Sequence, residues 1–141
     1  SMIDTSPVIA VIHTELVILQ KMVELLIEEG YTVFSINIDE KTPTTLIQVQ
    51  PQLIILDITL VQPARSWSIL HTLNHNSKPV HIPTIVLFPT KQILTQNQEF
   101  LQKYGCIPLL KPFYLDDLFE IIRRFMNRYD GWHHSSCQRK I

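Results

Sequence analysis

The chain has 141 residues, a formal net charge of −1 and an apolar content of 45%, which together predict one globular domain with its own hydrophobic core. The near-zero charge excludes a global attraction to nucleic acid or to an anionic membrane, and no apolar run approaches the ~20 residues that span a bilayer. We therefore expect neither a nucleic-acid nor a membrane partner. Two distant cysteines, Cys106 and Cys137, do not make a disulfide framework, so we predict a reducing, cytoplasmic location.

Apolar runs and helical periodicity alternate along the chain and predict five strands and five helices. Runs of β-branched and aromatic residues favour strands, whereas apolar residues three and four positions apart favour amphipathic helices. Gly30 and Gly105 mark helix ends, and Thr42 followed by Pro43 predicts a helix start with a capping hydroxyl. In chain order the predicted elements are strand 7–12, helix 16–29, strand 31–36, helix 42–50, strand 53–56, helix 64–75, strand 83–88, helix 91–104, strand 106–110 and helix 115–126.

This alternation predicts a doubly wound α/β fold, in which helices cover both faces of a five-stranded parallel sheet. The predicted domain spans residues 7–128, and the polar, aperiodic residues 129–141 are interpreted as a C-terminal tail. The four aliphatic residues of strand 53–56 suit a central strand that is buried on both faces, and this strand closes at Asp57. Because ligands bind at the carboxyl edge of such sheets, Asp57 is the first candidate site residue.

Two motifs carry a resemblance to a known family. Leu-Ile-Ile-Leu-Asp closes the third strand at Asp57, and Leu-Leu-Lys-Pro-Phe, with Lys111 at its centre, follows the fifth strand. At this spacing the chain resembles the receiver domain of two-component response regulators. The resemblance implies a flavodoxin-like strand order, 2-1-3-4-5, a phosphoacceptor at Asp57 and a pairing lysine at Lys111. It also implies a cis peptide bond before Pro112.

The resemblance further implies a protein partner, either a histidine kinase or a downstream signalling protein. A partner or a second copy of the chain would dock on the face formed by the fourth helix, the fifth strand and the fifth helix. Residues expected on or near this face are Ile93, Lys103, Tyr104 and Phe119.

The chemistry of the two matched residues agrees with these roles. A carboxylate that accepts a phosphoryl group is a nucleophile that forms an acyl phosphate. Charge on the phosphoryl oxygens requires cations, and Lys111 can supply one. In the family, Mg²⁺ supplies the rest and is held by carboxylates and water.

Other positions depart from the family pattern. His13 and Thr14 stand where the family places two acidic Mg²⁺ ligands, and Phe88 stands where it places the Thr or Ser that contacts the phosphoryl group. The phenyl ring is expected to crowd the pocket, although a shifted loop could bring the hydroxyl of Thr90 back. Pro108 replaces the family's aromatic switch residue, three positions before the lysine. The pocket and switch positions are therefore His13, Thr14, Thr59, Phe88, Pro108 and Pro112.

These departures favour a degenerate receiver, or pseudo-receiver, that acts by protein–protein interaction, with no cofactor and at most residual autophosphorylation. Asp57 and Lys111 would then form a standing salt bridge. One alternative is a working receiver that a histidine kinase phosphorylates at Asp57, with Mg²⁺ held by a carboxylate from Glu15 or Asp39. Another is a flavodoxin-like domain that binds a small ligand at the same edge; a pocket filled by Phe88 would count against it.

Histidines form the remaining pattern of interest. His71 and His75 lie four residues apart on a predicted helix, and His81 follows, which is metal-ligand spacing. Since no Glu or Cys accompanies the pair, we interpret it as an exposed polar face. His133, His134 and Cys137 in the tail show a similar pattern, and we interpret them as part of a disordered end. Trp132 in the same tail would be a partner anchor if exposed.

Overall fold

The computed structural model describes residues 6–59, 63–76 and 82–126. Its strands form a single parallel sheet in the order β2-β1-β3-β4-β5, which confirms the predicted fold class and strand order. The strands are β1 (Val8–His13), β2 (Thr32–Asn37), β3 (Leu53–Asp57), β4 (Thr84–Phe88) and β5 (Ile107–Leu110).

Helices cover both faces of this sheet. The helices are α1 (Leu16–Glu28), α2 (Thr42–Val49), α3 (Pro63–Asn76), α4 (Lys91–Gln96), α5 (Gln98–Tyr104) and α6 (Leu115–Met126). Apolar residues of α1 and α6 pack on one face, and those of α2, α3 and α5 pack on the other. We call these the α1–α6 face and the α3–α5 face. None of the helices described is long and apolar enough to cross a membrane; the cytoplasmic location stays a prediction.

The central strands are buried from end to end because both faces of the sheet are covered. Every residue of β3 is buried, as predicted. Successive side chains of a strand point to opposite faces. Leu53 and Ile55 accordingly join the α1–α6 face, and Ile54 and Leu56 join the α3–α5 face. Each such side chain contributes roughly 1.5–3 kcal/mol through its burial, so β3 anchors both halves of the core.

The prediction of one helix over residues 91–104 is wrong, because the chain breaks at Asn97 into α4 and α5. The side-chain amide of Asn97 donates to the carbonyl oxygen of Ile93 at 2.7 Å, which a continuing helix would offer to the backbone N–H of Asn97. That N–H donates instead to Leu94, three residues back, at 3.1 Å. Competition of this kind between side chain and backbone is typical of asparagine.

Two smaller expectations also need correction. Thr42 does not cap α2, since its hydroxyl accepts from the N–H of Asp39 at 2.9 Å and donates to the carbonyl of Asn37 at 3.2 Å. The apolar periodicity of the last two predicted helices places Phe100 and Phe125 on their inward faces, but these residues are 40% and 43% exposed. The tail and the domain limit at residue 128 lie outside the described residues.

Candidate functional site at the carboxyl edge of the sheet

Three side chains of the predicted site meet at the carboxyl edge of the sheet. The register pairs Ile12 of β1 with Leu56 of β3, so His13 and Asp57 end adjacent strands side by side. Strand alternation places both on the α1–α6 face. Lys111 follows β5, and its backbone N–H donates to the carbonyl of Phe88 at 2.9 Å. The Lys111–Pro112 peptide bond is cis, as the resemblance implied.

Asp57 and Lys111 form an ion pair between the Nζ of the lysine and the Oδ1 of the aspartate. The aspartate side chain is 5% exposed and the lysine side chain is 21% exposed. Burial raises the pKa of Asp57, and the hydrogen bond and charge of Lys111 only partly oppose that effect. The pair therefore consists of a carboxylate that is costly to ionise and the ammonium that compensates its charge.

His13 is the third member of the site and is only 5% exposed. Neither ring nitrogen has a hydrogen-bond partner among the described residues. Burial lowers the pKa of His13, although the charge of Asp57 acts in the opposite direction. The imidazole is consequently neutral near pH 7. A buried polar group without a partner costs about 1–3 kcal/mol, which makes His13 a conspicuous feature of this edge.

The remaining acidic candidates lie at the rim. Thr14 and Glu15 are exposed at the start of α1, and the charge of Glu15 contributes to the raised pKa of Asp57. Asp39 is exposed and turned into its own loop, where its Oδ1 accepts from the N–H of Lys41 at 2.8 Å. The charge of Glu15 therefore acts on the pocket, whereas the carboxylate of Asp39 stabilises a local turn.

Phe88 lies on the opposite side of the sheet from Asp57. It is fully buried, and its ring centroid is 6.1 Å from that of Trp67 on the α3–α5 face. The register explains the placement: Leu87, and not Phe88, pairs with Asp57, so the next side chain points to the other face. The ring is thus part of the core, and the prediction that it crowds the pocket is wrong.

The other switch positions are also accounted for. Pro108 is exposed on the edge strand β5, where a residue without a backbone N–H is tolerated, and Pro112 is exposed as well. Thr59 is half-buried after β3. The hydroxyl of Thr90 accepts from the N–H of Ile93 at 3.2 Å and caps α4, so it is not returned to the pocket.

Removing this cap gives a first testable prediction. We expect Thr90→Ala to lower the free energy of unfolding by about 1 kcal/mol, because an N–H of the first turn of α4 loses its acceptor. Thr90→Ser keeps the acceptor and is the matched control. Urea denaturation of the three proteins measures the difference; equal stability of the Ala and Ser variants would contradict the assignment.

Sequence reasoning missed an aromatic cluster that joins α3 to α5. The ring of Trp67 stacks on Phe100 with centroids 5.0 Å apart, and Phe100 stacks on Tyr104 at 6.1 Å. Nδ1 of His71 lies 2.9 Å from the hydroxyl of Tyr104 and is hydrogen-bonded to it. The aromatic pair at positions 100 and 104, one helical turn apart, was the available signal.

The histidine pattern does not assemble into a metal centre in the described part of the chain. No group of three or more His, Cys, Asp or Glu residues that could hold a metal ion occurs there. The side chains of His75 and His81, like the tail residues His133, His134, Cys137 and Trp132, lie outside the described residues. Cys106 is half-buried, and burial raises the pKa of its thiol to about 11, which leaves it unreactive at neutral pH.

The chemistry of the donors at the carboxyl edge can be compared with the needs of Mg²⁺. This ion takes oxygen ligands, usually carboxylates, substrate oxygens and water. Here the buried carboxylate of Asp57 is flanked by an ammonium and by an imidazole, and Glu15, whose charge acts on Asp57, is exposed at the rim. This donor set fits Mg²⁺ poorly.

No protein-family model matches the sequence, and no curated protein matches it. Solved structures, in contrast, match over most of the chain. The signal receiver domain of a modulated diguanylate cyclase from Desulfovibrio desulfuricans G20 has a TM-score of 0.71 at 15% identity, covering 86% of this chain and 94% of that one. A two-component response regulator from Clostridium difficile has a TM-score of 0.70 at 20% identity, with coverages of 87% and 98%.

The receiver domain of a sensor histidine kinase from Pseudomonas aeruginosa PAO1, which has a magnesium ion coordinated in its active-site cleft, has a TM-score of 0.67 at 20% identity. The aligned region covers 88% of this chain and all of that one. The chain thus has the fold of response regulator receiver domains, as the two motifs predicted.

Proposed function

We propose that this chain is a receiver-type signalling module of a two-component phosphorelay that acts by binding a protein partner, without efficient Mg²⁺-dependent phosphorylation of Asp57. The observation that carries the proposal is the buried ion pair between Asp57 and Lys111, set beside the buried neutral imidazole of His13. The receiver fold supplies the signalling context.

The chemistry of the pocket argues against efficient phosphorylation of Asp57. An aspartate nucleophile must meet the phosphoryl donor as a carboxylate, yet burial raises the pKa of Asp57 and Lys111 occupies one of its oxygens. The developing charge of the transferred group needs several cationic or hydrogen-bonding groups. Loss of one such group typically costs a factor of about 10²–10³ in rate, and this pocket lacks both the acidic pair and the hydroxyl expected from the resemblance.

The proposed partner is a histidine kinase or a downstream signalling protein, and we propose no enzymatic turnover, no bound cofactor and no nucleic-acid contact. The docking face or homodimer face would be built from α4, α5, β5 and α6. Lys103 is exposed on it, whereas Tyr104 and Phe119 are buried, at 6% and 3% exposure. Those two residues would support the surface from beneath, and a partner would meet exposed neighbours such as Leu110 and Tyr114.

A working phosphoacceptor remains the second candidate, favoured by the close approach of Lys111 to Asp57. Binding of a small ligand at this edge, as in flavodoxin-like domains, stays a prediction; Phe88 does not fill the pocket, but no described feature specifically favours such a ligand.

Incubation with acetyl phosphate and Mg²⁺, followed by intact-mass measurement, separates the first two candidates. We expect at most a trace of chains that carry one added phosphoryl group. Asp57→Asn is the negative control, and Glu99→Gln, which changes an exposed carboxylate on α5, is the matched control. Complete modification that disappears in Asp57→Asn and persists in Glu99→Gln would refute the proposal and establish the working receiver.

A further inference from the structure

The Asp57 pocket contains a carboxylate whose charge is already compensated within the chain. Asp57 is 4% exposed, and a carboxylate buried to this degree requires a counter-charge. Lys111 reaches it from the end of β5 while about a fifth of its own side chain remains exposed. The ion pair is neutral as a unit, so it offers little attraction to a further cation.

Position 13 decides whether this pocket has excess negative charge. His13 ends β1 beside Asp57 on the adjacent strand, and adjacent strands lie about 4.8 Å apart. A carboxylate at this position would face Asp57 as a like charge, and a divalent cation would relieve that repulsion. The imidazole instead presents two buried ring nitrogens that make no hydrogen bond in the described chain.

We infer that His13 is the residue that excludes divalent cations from the Asp57 pocket, leaving Lys111 as the resident counter-charge of that carboxylate. The inference rests on the proposed function, because it explains why this receiver fold would signal without metal-dependent phosphorylation. His13 acts here as a specificity-determining residue, because a bulky neutral ring occupies the position at which a second carboxylate would complete a cation site.

The charge at position 13 therefore sets how the stability of the protein responds to Mg²⁺. His13→Asp is expected to lower the melting temperature in EDTA, because two carboxylates then share a buried site. Excess Mg²⁺ should raise it by about 4 °C or more, the effect of a ligand that binds only the folded state at roughly ten times its Kd. The wild type and His13→Asn, a neutral variant of similar size, should not respond to Mg²⁺.

The second measurement is direct binding of Mn²⁺, monitored by the decrease of the electron paramagnetic resonance signal of the free ion. We expect binding to His13→Asp at least about tenfold tighter than to the wild type or to His13→Asn, a difference worth about 1.4 kcal/mol. If His13→Asp is unfolded in EDTA, folding on addition of Mg²⁺ supports the inference, and failure to fold at any Mg²⁺ concentration overturns it.

Two further results would overturn it. One is wild-type binding of Mn²⁺ as tight as that of His13→Asp; the other is a folded His13→Asp protein that gains neither binding nor stability. These outcomes are separable from a failure of the proposed function. A wild-type chain that binds metal but is not modified by acetyl phosphate refutes only the role of His13, and one that is modified refutes the proposed function.

Discussion

Replacing Lys111 by methionine is expected to lower the free energy of unfolding by about 2–4 kcal/mol at neutral pH, the cost of leaving a buried carboxylate without its partner. The lower end of this range allows for the 21% exposure of the lysine side chain. Methionine keeps most of the apolar stem and loses only the ammonium, so the effect reports on charge more than on packing.

The loss of stability in Lys111→Met should increase as pH rises. Burial raises the pKa of Asp57, and Lys111 is the strongest opposing influence, so removing the lysine raises that pKa further. The folded Lys111→Met protein then binds a proton at Asp57 where the unfolded chain has released it, and its stability falls as pH rises through this window. We expect the difference from the wild type to be largest at neutral pH and to shrink as pH falls toward the ordinary aspartate pKa.

Two variants control this experiment. Lys21→Met removes an exposed lysine whose ion pair with Glu24 measures 3.9 Å, and it should cost no more than about 0.5 kcal/mol. The double variant Lys111→Met/Asp57→Asn removes both charges and should recover most of the lost stability. Urea denaturation at a series of pH values measures all four proteins; a loss in Lys111→Met that matches Lys21→Met, or is constant with pH, would contradict a buried charge pair.

Replacing Phe88 by threonine is the second change with a large expected effect. Although the substitution supplies the residue type that the family has at this position, we expect it to destabilise the fold by about 3–5 kcal/mol, as for other large-to-small substitutions at buried aromatic residues. Phe88 is fully buried against Trp67, so the variant leaves a cavity and a hydroxyl without a partner on the α3–α5 face. It should not increase modification by acetyl phosphate.

Phe88→Leu is the matched control, because it keeps an apolar side chain and should cost distinctly less. The fluorescence of Trp67, read in a Trp132→Phe background, should change more in the Thr variant than in the Leu variant. A stable Phe88→Thr protein with unchanged fluorescence and new phosphorylation at Asp57 would show that position 88 faces the pocket.

Local patterns in the sequence determined most of the architecture. Strand and helix periodicities alternate clearly enough to predict the doubly wound sheet, and the apolar run of β3 that stops at Asp57 predicts a central strand with a polar group at its carboxyl edge. These strand and helix signals need no tertiary information, because each depends on residues close together in sequence. The pairing of Lys111 with Asp57, which lies far from it in sequence, was implied only by the resemblance to receiver domains.

Only the tertiary structure decided which side chains share the site. Phe88 was misplaced because a shift of one residue at the end of a strand reverses the face to which a side chain points, and the register with β3 is not written in the local sequence. At the break, the side-chain amide of Asn97 takes the carbonyl acceptor that a continuing helix would use, a choice that helical periodicity does not reveal. The burial of His13 and Asp57, and hence their shifted pKa values, comes from strands and helices distant in the chain that close over this edge.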